Sequence, residues 1–457
     1  MGRGSNGQSR LVVIGGDAAG MSAASQARRH KSSAELEILA LEAGEHTSYS
    51  ACGIPYFVAA TVPEAQDLVV RDPATFAHRH HIEVRTRCEV TKIDLDRRVV
   101  RTAHADGSAG EEPFDQLMLA TGALPRRPDL PGADAEGVFG VQTLTDGIEL
   151  RAEIEERAPR RAVVVGGGYI GLEMAEAFLQ RGMVVDLIEA LPEPMSTLDP
   201  DMGGLVREAL REMGVNFHPN TPVTGFEAPE GRVRAVHTAG GGHEADIVVL
   251  GLGTRPNSDL ARAAGIAIGP TGGVAVDARM RTSAPGVWAA GDCVETFHRV
   301  SRAPVAIALG THANKQGRVA GDNIGGGYAR FPGVVGTALT KVCGLEVART
   351  GLNEAQAHRA AYMFDTVTVE SSTRAGYYPG AGAITVKLLA ERGSGRLLGG
   401  QIVGCENAGK RIDVLATALW NEMTVADMAG MDLGYAPPFA PVWDPVLIAA
   451  RKLAERR

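Results

Sequence analysis

The run Arg10-Leu11-Val12-Val13-Ile14-Gly15-Gly16-Asp17-Ala18-Ala19-Gly20-Met21-Ser22-Ala23-Ala24 decides the fold. An apolar strand runs into glycines that open a small-residue helix continuing to about His30. A second apolar strand, Leu36 to Leu41, then ends in the acid Glu42. Strand, glycine turn, helix, strand and an acid 22 positions after Gly20 make a dinucleotide fingerprint. Each part has a physical task. Gly15 permits the sharp turn, Gly20 lets the helix approach the strand, the helix N-terminus faces a pyrophosphate, and Glu42 accepts from a ribose. The middle glycine of G-x-G-x-x-G is replaced by Asp17, so the backbone approach there is expected to be less open.

The pattern returns in Arg161-Ala162-Val163-Val164-Val165-Gly166-Gly167-Gly168-Tyr169-Ile170-Gly171-Leu172-Glu173. A helix to about Arg181 and a strand from Val184 follow, closing on Glu189, 18 positions after Gly171. This copy matches the glycine pattern in full, and two dinucleotides are expected to bind. No unit of roughly 20 to 50 residues recurs, so the likeness is that of two nucleotide domains and not of a solenoid.

A chain of 457 residues exceeds one core and predicts about two to four domains. With 44% hydrophobic residues and 57 glycines it reads as a globular α/β protein rich in tight turns. A net charge of −8 argues against a nucleic-acid or anionic-membrane partner, whose phosphates need clustered Lys and Arg. Five cysteines, widely spaced and without C-x-x-C, indicate neither a disulfide framework nor a structural zinc, and no metal site is expected. A reducing cytoplasmic setting fits best. Met1 to Ser9 form a polar lead-in, expected to be disordered and lacking a signal peptide's apolar core. Asn6 breaks the myristoylation pattern, and no apolar run approaches the roughly 20 residues of a membrane span.

Thr47-Ser48-Tyr49-Ser50-Ala51-Cys52-Gly53-Ile54-Pro55-Tyr56 holds the reactive candidate. Cys52 reads as a thiol in a tight turn near a helix start, where backbone N–H groups favour a thiolate. A buried, inert cysteine is the alternative that these residues alone leave open.

Shorter signals follow in order: Ala120-Thr121-Gly122, then Gly251-Leu252-Gly253, then Gly291-Asp292. The ordered set resembles the pyridine nucleotide-disulfide oxidoreductases, the two-dinucleotide-binding-domain flavoproteins, from about residue 10 onward. The resemblance implies two Rossmann-like domains plus an α+β dimerisation domain. FAD binding would occupy 10–155 and 279–330, NAD(P)H binding 156–278, and dimerisation 331–457. It implies FAD on Gly15, Ala18, Ala19, Gly20, Glu42, Ala120, Thr121, Gly122 and Asp292. The nicotinamide nucleotide falls to Gly166, Gly168, Tyr169, Ile170, Gly171, Glu189 and Gly253, with Tyr169 covering the flavin until nicotinamide displaces it. NADH is expected over NADPH, because Glu189 repels a 2′-phosphate and no Arg occurs from Ala190 to Leu198.

The branch is set by what is missing. A paired redox C-x-x-x-x-C would need cysteine at 47 or 57, where Thr47 and Phe57 stand, and the last histidine is His358. Peroxidase-type relatives place a His where Ala18 lies. The chain therefore resembles the single-cysteine coenzyme A-disulfide reductases and coenzyme A-linked persulfide reductases. Matching stretches are Ser25 to Arg29, Ser48 to Tyr56, Ala313 to Arg318, Tyr377-Tyr378-Pro379-Gly380, Lys410 to Val414 and Gly434 to Phe439. Ala51 departs from the Asn often found before the cysteine. The implied catalytic residues are Cys52, Tyr377 and Tyr435, the tyrosines coming from the partner subunit of a homodimer. Gln26, Arg29, Ser48 and Tyr49 would hold coenzyme A, the covalent mixed-disulfide partner of Cys52. No rhodanese-like segment follows, so the simpler disulfide reductase is expected ahead of a persulfide reductase or an NADH oxidase. A ferredoxin-reductase-type electron carrier, which needs no Cys52, is the further alternative.

Overall fold

The structure is a computed structural model that describes residues 8–456. Of the polar lead-in, Met1 to Gly7 lie outside the described residues. Ser9 already belongs to the first strand, opposite Leu36.

Five parallel strands form the first sheet, in the order Val287–Ala289, Gln116–Leu119, Ser9–Ile14, Leu36–Leu41 and Glu83–Arg85. The central strand is a continuous apolar run because both its faces are covered; Leu11, Val12 and Val13 are fully buried. A second five-stranded parallel sheet repeats the plan, in the order Asn216–His218, Val184–Ile188, Arg161–Val165, Ile247–Leu250 and Val138–Phe139. These are the two Rossmann-like units. Each carries a three-stranded antiparallel sheet, Cys88–Asp94 with Val99–His104 and Ala109–Pro113 in the first, Val223–Glu227 with Ala235–Thr238 and Gly241–Glu244 in the second.

The chain leaves the first unit and returns to it. The return is sealed by small residues, since a Cβ at Gly317 would lie 2.2 Å from the Ala19 carbonyl oxygen and one at Gly321 2.4 Å from that of Ala23. Helix Gly310–Ile324 therefore lies almost in backbone contact with helix Ala18–His30. A two-stranded ribbon, Ala123–Pro125 against Thr254–Pro256, bridges the two nucleotide units.

The C-terminal α+β unit is a five-stranded antiparallel sheet covered by helices Ile412–Trp420 and Pro445–Ala454. Its Lys387, 4% exposed, reaches Asp201 at 2.7 Å, Glu354 at 2.6 Å and Asp199 at 3.2 Å. A buried cation shared among carboxylates from different units specifies how they dock, because either partner alone is costly to desolvate. Among the described residues no helix is long and apolar enough to cross a membrane.

Candidate active site

The two glycine loops are built alike. Gly15 and Gly166 both have positive φ, +106° and +102°, which side-chain-bearing residues rarely adopt. A Cβ at Gly20 would stand 2.0 Å from the Gly15 carbonyl oxygen, and one at Gly171 1.9 Å from that of Gly166. Glu42 accepts from the N–H groups of Gly16 and Gly44, both at 2.7 Å. Glu189 does the same for Gly167 at 2.7 Å and Leu191 at 2.9 Å. Each terminal acid thus braces its own loop and keeps spare lone pairs for a ribose.

Asp17 is the one asymmetry. It occupies the place of Gly168, and both residues cap their helices in extended backbone, φ −110° and −82°. A side chain there meets no backbone strain, and the Asp17 carboxylate accepts from Tyr49 N–H at 3.2 Å. The departure from the glycine pattern therefore ties the phosphate loop to the segment that carries Cys52. Burial, with Glu42 and Asp292 nearby, pushes the Asp17 carboxyl up to about 6.

Cys52 lies in a 3₁₀ turn, Ala51–Gly53, running into the short helix Ile54–Val58. The turn is packed from below, since a Cβ at Gly53 would come within 2.3 Å of Leu68 Cδ2. Cys52 is exposed in the single chain, as is Cys405, whereas Cys88 and Cys293 are buried. The thiolate expected from the sequence is not what the protein alone favours. Crowding around the thiol and the carboxylates of Glu173 and Asp292 push its pKa up, outweighing the turn's N–H.

Tyr377 and Tyr435 come together from separate loops, close enough that the Tyr377 hydroxyl holds Tyr435 above its ordinary pKa. Arg411 joins those loops: one guanidinium nitrogen donates to the Thr373 carbonyl at 2.8 Å and the Phe439 carbonyl at 2.7 Å, and another pairs with Asp444 at 3.0 Å. Both tyrosines face outward, 78% and 47% exposed, beside exposed Phe439, Val442 and Trp443. Among the described residues, no hydrogen bond joins either tyrosine to the Cys52 loop within one chain.

The residues expected around coenzyme A divide. Arg29 is exposed at the end of its helix, and its guanidinium donates to Gln26 Oε1 at 3.0 Å. Gln26 is buried and spends its amide nitrogen on Asp322 at 2.7 Å, so its geometry suits orienting Arg29 more than touching a ligand. The neighbouring Arg28 is consumed by the carbonyls of Lys31, His80 and His81. Ser48 takes a positive φ of 50° and donates its N–H to the Gly16 carbonyl at 3.0 Å, fastening the Cys52 segment to the phosphate loop. The half-buried Tyr49 ring packs against the apolar core that includes the nicotinamide unit, its hydroxyl near the Leu144 backbone.

The description "pyridine nucleotide-disulphide oxidoreductase" matches residues 9–317, and the dimerisation domain of the same name matches 337–445. The chain belongs to this family. It is 40% identical over 444 residues to the "NAD(P)H sulfur oxidoreductase (CoA-dependent)" of Pyrococcus abyssi, covering 97% of this chain and 98% of the relative. A structure of a "NAD-Dependent Persulfide Reductase from A. fulgidus" superposes with a TM-score of 0.95 at 42% identity, covering 98% of this chain and 83% of that one. The "Coenzyme A disulfide reductase" of Staphylococcus epidermidis is 27% identical over 433 residues, covering 94% of this chain and 96% of the relative.

Family membership implies FAD and a nicotinamide dinucleotide, and the residues present fit both. Asp292 Oδ1 is buried without a hydrogen-bond partner, as is the Thr47 hydroxyl, and burial lifts the Asp292 carboxyl to about 6. Orphaned polar atoms beside a glycine cradle call for a polar ligand. Thr121 and Gly122 sit where the two units meet: Thr121 Oγ1 donates to the Asn257 carbonyl at 2.6 Å, and Asn257 returns a bond to Thr121 at 3.2 Å. Ala120 lies under Gly15, and Gly253 takes a φ of +78° at the end of the bridging ribbon. Tyr169 opens the second fingerprint helix with a buried, unpartnered hydroxyl, and Ile170 packs beside it.

Glu173 is the residue that sequence reasoning passed over. Two places beyond Gly171 on helix Tyr169–Gln180, it accepts from Thr340 at 2.7 Å and is the carboxylate that acts most on the Cys52 thiol. Burial raises its own pKa. Its place in the second fingerprint was legible; its direction toward Cys52 is set by packing between units.

Proposed function

We propose that this chain is an NADH-driven reductase of sulfur–sulfur bonds that carry coenzyme A on one side, acting as a homodimer through a mixed disulfide on Cys52. The observation that supports this reading most is the setting of the thiol. Tyr49 N–H on Asp17 and Ser48 N–H on the Gly16 carbonyl tie the Cys52 segment to the FAD loop, and Glu173 of the nicotinamide helix acts on the thiol, which supports an exposed sulfur serving both nucleotides.

The reaction balances as coenzyme A disulfide or persulfide plus NADH and a proton, giving coenzyme A thiol, the second thiol or sulfide, and NAD⁺. Cys52 thiolate attacks the coenzyme A sulfur, forming the mixed disulfide and expelling the other sulfur as a thiolate that takes a proton. Bound FAD supplies a two-electron relay between nicotinamide and sulfur. Two electrons then break the Cys52–coenzyme A bond, giving Cys52 as a thiolate and coenzyme A as a second thiolate that takes a proton and leaves as the thiol.

Tyr377 and Tyr435 of the partner subunit donate hydrogen bonds to the departing sulfur, the paired hydroxyls keeping Tyr435 protonated. Arg411 positions them. Arg29, oriented by Gln26, meets coenzyme A phosphates with a guanidinium suited to bidentate contact.

The test is Cys52→Ser assayed in two halves. NADH should still reduce the bound flavin, since no fingerprint residue depends on the thiol. Thiol release from coenzyme A disulfide should fall to background, because serine forms no disulfide. Release at the wild-type rate would instead favour an electron carrier whose reduced flavin serves an outside acceptor.

A further inference from the structure

Three metal-ligand side chains converge at a place the redox chemistry does not use. Asp186 lies on strand Val184–Ile188, His218 on the edge strand Asn216–His218, and His243 on strand Gly241–Glu244 of the small antiparallel sheet. Parallel pairing sets Ile188 opposite His218 and Asn216 opposite Asp186, so Asp186 and His218 share one face of the sheet. The antiparallel sheet lies over that face: Val236, opposite His243, and Ile188 belong to the same buried core cluster. His243 hangs from one layer toward Asp186 and His218 on the other.

One donor atom from each residue falls within 4.8 Å of the others. His218 Nε2 is 2.6 Å from Asp186 Oδ1, while His243 Nδ1 is 3.9 Å from the same oxygen, too far for a hydrogen bond. The two imidazoles meet edge to face, their centres 4.5 Å apart. One carboxylate oxygen is thus shared unequally, and among the described residues the His243 ring makes no hydrogen bond. A cation between them would serve all three. Zinc bonds of about 2.0–2.2 Å to nitrogen and oxygen place tetrahedral donors roughly 3.3 Å apart. The present separations of 2.6 Å and 3.9 Å bracket that value, and side-chain movements of about 0.7 Å and about 0.6 Å close the two differences.

We propose that Asp186, His218 and His243 bind one zinc-class divalent cation per chain, with water in the remaining position. Two imidazoles and a carboxylate suit Zn²⁺ over Mg²⁺ or Ca²⁺, which take oxygen donors. Side chains 19–31% exposed leave an entry path and room for the water. The ion fastens the outer strand Gly241–Glu244, otherwise held to the parallel sheet by the Arg161–Glu244 ion pair, onto the nicotinamide unit. It also sits next to the ribose site, because the His218 carbonyl accepts the Glu189 N–H at 2.9 Å.

The experiment uses chelator-treated, FAD-loaded enzyme dialysed against Zn²⁺ and then metal-free buffer, with zinc quantified per chain. Wild type should keep one equivalent more than the His218→Ala/His243→Ala double variant, the free cysteines being common to both. Zn²⁺ should also raise the thermal midpoint of wild type and leave that of the variant unmoved. Should the variant fail to fold, zinc-edge X-ray absorption on wild type decides: a nitrogen and oxygen shell with imidazole scattering supports the site. A sulfur shell, equal retention by both proteins, or no retention overturns it.

Discussion

The second fingerprint assigns different work to Gly168 and Gly171, three positions apart, and alanine at each separates the tasks. At Gly171 a Cβ would sit 1.9 Å from the Gly166 carbonyl oxygen, whereas ordinary contact begins at 3.4 Å. The helix must retreat by the difference, roughly 1.5 Å, against a strand whose Val163 and Val164 are fully buried. Overpacking of that kind costs about 1–3 kcal/mol, occasionally more, and should lower the thermal midpoint by several degrees. At Gly168 a Cβ meets nothing within 4 Å, and φ −82° with ψ −170° suits any residue. Gly168→Ala should therefore hold its stability to within about 0.5 kcal/mol. The open space over Gly168 is where a pyrophosphate comes close to the backbone. Filling it should weaken NADH by about tenfold, roughly 1.4 kcal/mol. Differential scanning calorimetry gives the first quantity and stopped-flow flavin reduction against NADH concentration the second. A Gly171→Ala protein that melts with wild type, or a Gly168→Ala protein with unaltered NADH dependence, refutes the reasoning.

The other expectations are shorter. NADH should reduce the flavin with a higher second-order rate than NADPH, and Glu189→Arg should shift the preference toward NADPH; the reverse order in wild type contradicts the ribose assignment. Asp17, near 6 in the free protein, is pushed higher by a pyrophosphate beside it, so FAD binding takes up a proton. FAD affinity should fall as pH rises from about 6 to 8, by up to tenfold per unit, and Asp17→Asn should flatten the profile; a flat wild-type profile in fluorescence titration of the apoprotein contradicts this. Because Asp17 and Asp292 both titrate near 6, well above their unfolded values, apoprotein stability from these groups is greatest below the ordinary carboxylate range and is lost as pH rises through about 6. Mixed dimers of Cys52→Ser and Tyr435→Phe chains should recover one intact site, and failure to complement, with dimerisation confirmed, counts against shared sites.

What could be read from the chain and what could not follow from distance along it. The Rossmann-like units were legible because Gly15, Gly20 and Glu42 act within one strand–helix–strand unit, and Gly166, Gly171 and Glu189 repeat it. Asp17 reads in the sequence only as a less open backbone approach, since its partner Tyr49 N–H lies in another loop. Gln26 enters the coenzyme A set by resemblance, and nothing near it in sequence announces Asp322, 296 residues on, which takes its amide nitrogen. The turn of Cys52 alone points to a thiolate; crowding around the thiol and, after it, the carboxylate of Glu173 from the other nucleotide unit raise its pKa instead. Asp186, His218 and His243 form no spaced motif, and only the stacking of two sheets brings them together.

The central claim rests on a covalent bond at one sulfur, and intact-protein mass spectrometry with peptide mapping tests it most directly. Enzyme incubated with coenzyme A disulfide should gain the mass of one coenzyme A, less the hydrogens lost in forming the bond, on the peptide carrying Cys52. One equivalent of NADH should remove it and release coenzyme A thiol. Steady turnover of coenzyme A disulfide with Cys52 never modified, or an adduct on Cys405 or Cys343 instead, would contradict the account.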